Sequence, residues 1–183
     1  MIVYPNAKIN LGLNVVARRA DGYHDIETIF YPIPLQDALE IMPLSSETTT
    51  TSSSRHHLRQ AGTPLDCAPE DHLVLRAIAL LEKDFQLPPL DIYLYKHIPS
   101  GAGLGGGSSD AAFAMRLVNE KFRLGLSDEE MQKRLASLGA DCPFFLLGKP
   151  AFATGIGDQL SPIDLVLKGW NLVLVKPEIH VST

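Results

Sequence analysis

Two spacings of apolar residues alternate along the chain. Ile9, Leu11, Leu13 and Val15 fall at every second position between Asn10, Gly12 and Asn14, the pattern of a strand with one buried face. Gly22 places a turn in R-R-A-D-G-Y-H. Apolar residues resume at Ile26, Ile29 and Phe30, and Leu39 with Ile41 marks another short strand. From Asp71 to Phe85 the period lengthens: Leu73, Val74, Ala77, Ile78, Leu81 and Phe85 share one helical face, with Pro88 and Pro89 as the stop. Leu90, Ile92 and Leu94 then alternate with Asp91 and Tyr93 in a strand that runs to His97 and ends at Pro99. A second helix is predicted from Ser108, on Ala111, Ala114, Met115, Val118 and Phe122. Ser127 and Glu130 form a capping box for a third helix, with Met131, Leu135 and Leu138 inward and Gly139 as its stop. Ala151 to Ala153 and Trp170 to Val175 read as further strands. Strands and helices mix without regular alternation, so the expected class is α+β rather than a doubly wound parallel sheet.

Ser45 to Ser54 breaks the pattern with nine hydroxyl side chains and one carboxylate, which cannot enter a core and predict a solvated loop or an edge extension. His56 and His57 fall in the same polar stretch, without partners at metal-ligand spacing, and are expected to be solvated. Cys67 and Cys142 make neither a disulfide framework nor a metal cluster, which suits a reducing cytoplasm. Net charge is −5 and there is no dense Lys/Arg run, so duplex nucleic acid is not an expected partner. No stretch approaches the ~18 apolar residues of a membrane span, so a membrane is not expected either.

The densest chemical signal is P-S-G-A-G-L-G-G-G-S-S-D, from Pro99 to Asp110, in which five residues are glycine. The segment joins a strand to an amphipathic helix, so free amide N–H groups and the positive end of the helix dipole converge there. That makes an anion site, most naturally for nucleotide phosphates. A Walker A loop would end in G-K-[ST], but Gly107 is followed by Ser108. Gly101, Gly103 and Gly106 formally spell the dinucleotide fingerprint. Its ribose-binding acid would have to be Glu120, which lies inside the predicted helix instead of after a second strand.

This glycine segment resembles the ATP loop of the GHMP kinases, a family of small-molecule kinases. Three more segments narrow the resemblance: P-N-A-K-I-N-L from Pro5, R-A-D-G-Y-H from Arg19 and G-A-D-C-P-F-F from Gly139, with G-I-G-D from Gly155 extending it. They are similar to the branch that phosphorylates a cytidine-diphosphate-linked sugar alcohol on the non-mevalonate route to isoprenoids. The resemblance implies a GHMP kinase N-terminal domain (ribosomal protein S5 domain 2-like), with a mixed sheet packed on helices. It implies ATP as co-substrate, Mg²⁺ held mainly by phosphates, a small-molecule partner carrying a cytidine diphosphate group, and a cytoplasmic enzyme. Another alcohol kinase of the family, or a nucleotide-binding domain without catalysis, stays as the alternative.

Residue by residue, the resemblance makes Asp141 the base or orienting group for the alcohol and Lys8 its cationic partner. Asn10 would hold substrate, Tyr23 would stack on cytosine and His24 would hydrogen-bond the base. The ATP loop would be Pro99, Ser100, Gly101, Ala102, Gly103, Leu104, Gly105, Gly106, Gly107, Ser108 and Ser109, with Lys96 as a further nucleotide contact. Taken alone, Asp141 also reads as an N-cap or turn residue, Lys8 and Lys96 as solvated strand lysines, and Tyr23–His24 as a hairpin with a buried aromatic. His72 stands where the family commonly has Asn. The expected division is a catalytic domain over residues 1–160, followed by a connecting segment and the first strand of a second domain over 161–183. With no aromatic after Trp170 to wall the cytosine from its second side, this chain is expected to bind ATP but to hold the cytidylyl substrate poorly.

Overall fold

A computed structural model describes residues 1–44, 55–64, 67–68 and 71–177. Among the described residues, eight strands and four helices run in the order β1 (Ile2–Val3), β2 (Asn6–Arg18), β3 (His24–Gln36), β4 (Ala38–Pro43), β5 (His57–Gly62), α1 (Leu73–Glu82), β6 (Leu90–Lys96), α2 (Gly106–Phe122), α3 (Asp128–Ala136), α4 (Cys142–Leu147), β7 (Ala151–Thr154) and β8 (Gln159–Pro162). One sheet has the order β1-β4-β6-β5, with β5 parallel to β6 and the other pairs antiparallel; the second, β2-β3-β7-β8, is antiparallel throughout.

The alternation in β4 and β6 positions the core. Leu39, Ile41, Leu90, Ile92 and Leu94 are buried on one sheet face, under Val74, Ile78 and Leu81 of α1 and Ala111, Ala114, Met115 and Val118 of α2, while Tyr93 and Tyr95 stand outside. Ser127 caps α3 as predicted: its hydroxyl accepts from the Glu130 amide at 3.3 Å, and the Glu130 carboxylate accepts from the Ser127 amide at 2.8 Å. Such a cap is worth about 1 kcal/mol.

Several expectations are corrected. Beyond Leu11 both faces of β2 are exposed, Leu13, Val15 and Val16 included, because among the described residues β2 pairs only with β3 and nothing packs across its far half. Helix α1 closes at Glu82, where the amides of Asp84 and Phe85 both bond to the Leu81 carbonyl and release the chain before Pro88. Helix α2 starts at Gly106, two residues ahead of the serines. Trp170 to Val175 forms no strand; it has no ladder partner among the described residues and lies exposed. His56 is not solvated: its ring accepts from the Leu90 amide and lies 3.1 Å from Glu82. The Ser45–Ser54 tract falls outside the described residues.

Candidate active site

The glycine segment links β6 to α2 through a tight wrap. Gly105, the N-cap of α2, has φ +70°, and a Cβ there would lie 2.7 Å from the Phe145 ring. A Cβ on Gly106 would meet Ile98 at 3.0 Å and the Lys96 ammonium at 3.2 Å. At Gly105 the left-handed backbone and the close approach together call for glycine, and at Gly106 a side chain would need Ile98 and Lys96 to give way. The wrap encloses a cavity of about 60 Å³ lined by Lys96, Ile98–Ala102 and Leu104–Gly107. The start of a seventeen-residue helix, with no acidic side chain in its first turn and no side chain capping it, leaves amide donors available there. Gly103 faces outward towards Leu174–Pro177. Ser108 is half-buried, and Ser109 turns into the core with its hydroxyl unpaired.

Lys8 is brought to the same place by its backbone, whose amide donates to the Leu104 carbonyl at 3.0 Å. Its side chain is only 5% exposed. The ammonium lies 4.6 Å from the centre of the Phe30 ring, donates to Asn10 Oδ1 at 2.6 Å and faces Asp141 Oδ2 at 3.1 Å. Asn10 shares the face of Lys8 because the two are two residues apart on one strand. Asp141 occupies the N-cap position of α4, yet its side chain makes no cap bond and turns to Lys8 instead. The Asp141 side chain keeps about a third of its surface accessible, so the pair is buried on the ammonium side and open on the carboxylate side.

The other candidates divide. Tyr23 and His24 stand exposed at the tip of the β2–β3 hairpin, where the Arg19 amide donates to the Tyr23 carbonyl at 2.9 Å; the buried aromatic expected of a plain hairpin is absent, since Tyr23 is 61% exposed. His24 is six strand residues from Phe30, roughly 20 Å at strand rise, so the structure does not bring the tip next to Lys8. Lys96 is not a solvated strand end: it is buried and ion-paired to Asp37 and, at 2.7 Å, to Asp110. His72 caps α1, its Nδ1 accepting from the Val74 amide at 3.3 Å, and burial followed by the Lys96 charge pushes its pKa down. Sequence reasoning missed Phe30, Asp37, Asp110 and Gly157. The last lies against Asp141, whose Oδ1 would be 3.8 Å from a Cβ there. Among these, Gly157 and Asp110 lay in segments the sequence singled out, G-I-G-D and the end of the glycine segment.

Residues 72–149, which hold the glycine loop and Asp141, match the family model of the GHMP kinases N terminal domain. Over its whole length the chain is 60% identical to a 4-diphosphocytidyl-2-C-methyl-D-erythritol kinase of Bacteroides fragilis, of which it spans 65%. The chain has the fold of the GHMP kinase N-terminal domain. A crystal structure of a 4-(cytidine 5'-diphospho)-2C-methyl-D-erythritol kinase superposes with a TM-score of 0.73 at 39% identity, over 91% of this chain and 56% of that one. The mevalonate kinase of Methanococcus jannaschii, at 16% identity and a TM-score of 0.64 over 90% of this chain and 56% of that one, shares the GHMP kinase fold.

Proposed function

We propose that this chain carries the ATP site and the phosphoryl-transfer site of a 4-diphosphocytidyl-2-C-methyl-D-erythritol kinase of the cytoplasm. The observation that carries the reading is the Lys8–Asp141 pair, joined to the glycine loop through the Lys8 amide. Binding phosphates alone needs no carboxylate beside a buried ammonium; phosphoryl transfer to an alcohol has a use for both. Asp141 accepts the proton of the substrate's 2-hydroxyl as that oxygen bonds to the γ-phosphorus and the bond to ADP breaks. Lys8 stabilises the charge developing on the oxygen, and Asn10 holds the ammonium in line. The amides of Gly105 to Gly107 hold the phosphates, and Mg²⁺ arrives with ATP, bound mainly by phosphate oxygens and water.

Tyr23 and His24 take the cytosine. The hairpin tip serves only a substrate long enough to reach from it to Asp141, which favours a nucleoside-diphosphate-linked alcohol over a short one. The catalytic domain runs through β8 to residue 162, two residues past the expected boundary, because Ser161 and Pro162 still pair with Phe152 and Ala151 of β7. A coupled ADP-release assay tests the reading, run with this chain and with a protein of its relatives' full length. Turnover with the cytidylyl substrate is expected from the protein of full length, slow or no turnover from this chain, and none from either with homoserine or mevalonate. Turnover only with a short alcohol would move the chain to another branch of the family.

A further inference from the structure

Beneath the glycine loop lies a cluster that the proposed chemistry does not use. Lys96, the last residue of β6, is gripped by Asp37, from the β3–β4 junction, and by Asp110, in the early part of α2. All three side chains are at most 2% exposed. Asp37 also accepts the amides of His97 at 2.5 Å and Ile98 at 2.8 Å with its other oxygen, and its own amide donates to the Pro5 carbonyl at 2.8 Å. One carboxylate, that of Asp37, thus holds the chain entering the loop, while the Asp37 amide holds the chain leading to Lys8. The other carboxylate holds the chain leaving the loop. Gly106 rests on the ammonium between them.

For core stability alone this is a poor device. Three ionisable side chains are taken out of water, Asp110 Oδ1 has no partner, and apolar replacements of buried ionic groups are often neutral or stabilising. What the cluster supplies is direction, since charge-assisted hydrogen bonds fix angles that apolar contacts leave free.

We propose that Asp37 and Asp110 are positioning residues that act through Lys96 to fix the entry and exit of the glycine loop, so that its amides converge before nucleotide arrives. Lys96 is then a staple of the loop and not a phosphate contact. The inference rests on the reading of the loop as an ATP site for its binding consequence, but not for its structural one.

Hydrogen exchange of residues 101–107 in the nucleotide-free chain, read beside calorimetric ATP titration and thermal melting, tests it. Asp37→Asn keeps acceptors for the loop-entry amides but breaks the grip on Lys96; Asp110→Leu removes the grip from the other side. Each is expected to speed exchange in 101–107 while leaving the core strand β6 protected, and to weaken ATP binding roughly tenfold. If one variant fails to fold, the other reads the same quantities. Lys96→Met combined with Asp37→Asn and Asp110→Leu leaves no buried charge in the cluster and keeps it packed. Its expected result is parental melting, fast loop exchange and weak ATP binding, a combination that a purely structural role does not produce. Unchanged exchange in 101–107 in these variants would overturn the proposal, and weak ATP binding with a still-protected loop would restore Lys96 as a direct contact. If the parent binds no ATP while the variants loosen the loop, the positioning role stands and the ATP reading falls.

Discussion

At one end of the β2–β3 hairpin, Lys8 is held by Asn10, Asp141 and the face of Phe30, and its amide is tied to the glycine loop. At the other end, Tyr23 and His24 stand in solvent on a turn held by backbone bonds and an Arg19–Asp21 pair. The first end is fixed from four directions before any ligand is present. The second is left open to solvent among the described residues. The difference matches two tasks: transfer of a group needs reacting atoms held in place, whereas stacking on a base is completed by the base itself. Damage to the first end should therefore act on folding and rate together, and damage to the second on substrate affinity alone.

The sharpest break of that contrast is Gly105→Val. Its φ of +70° and the 2.7 Å approach to Phe145 leave no room for a side chain. ATP affinity should fall by about a hundredfold or more, the scale of a misplaced positioning element. The melting temperature should fall by several degrees. Calorimetric titration and a melt on the same sample check both. Parental ATP binding would mean that the wrap around the helix start is not the phosphate site.

His24→Ala probes the open end. Loss of one buried hydrogen bond to the base predicts a rise in KM for the cytidylyl substrate of roughly ten- to a hundredfold, from 1–3 kcal/mol. KM for ATP and the melting temperature should not move. Equal losses for both substrates would show that the two pockets have been assigned the wrong way round.

The smallest expected effect lies under the loop. Burial, partly offset by Lys96, pushes the Asp110 carboxyl up to about 7 from its ordinary 3.8. Between those values the folded chain holds a proton that the unfolded chain has released. The stabilising contribution is complete below pH 3.8 and is lost as pH rises to about 7. Asn at this position does not titrate. The melting temperature of Asp110→Asn minus that of the parent should therefore climb from pH 4 to pH 7 and level off above it. A difference independent of pH would show that Asp110 is ionised throughout.

The legible parts of the molecule are those whose signal is local. The alternation of Leu90, Ile92 and Leu94 located β6, Ser127 and Glu130 located the start of α3, and five glycines located the loop that opens α2. Strand β5 was not legible because Arg59 and Gln60 give it no period and backbone pairing with β6 makes it a strand. Helix α4 was hidden because C-P-F-F-L-L is apolar on every side. The Asp37–Lys96–Asp110 cluster joins residues 59 and 14 positions apart, a distance at which spacing carries no information without a fold. The Lys8 and Asp141 roles came from the family resemblance. What the structure adds is their contact, and the reason Asp141 is free to make it: the cap position of α4 leaves its carboxylate unused.

The central claim is that the Lys8–Asp141 pair performs phosphoryl transfer while the glycine loop holds ATP. Asp141→Asn keeps the size of the side chain and removes its basicity, so one variant separates the two tasks. In a protein of the relatives' full length, ADP release with the cytidylyl substrate should fall by roughly 10²–10⁴-fold, the usual contribution of a positioned base, with ATP affinity unchanged by calorimetry. Turnover at the parental rate in that variant would contradict the account.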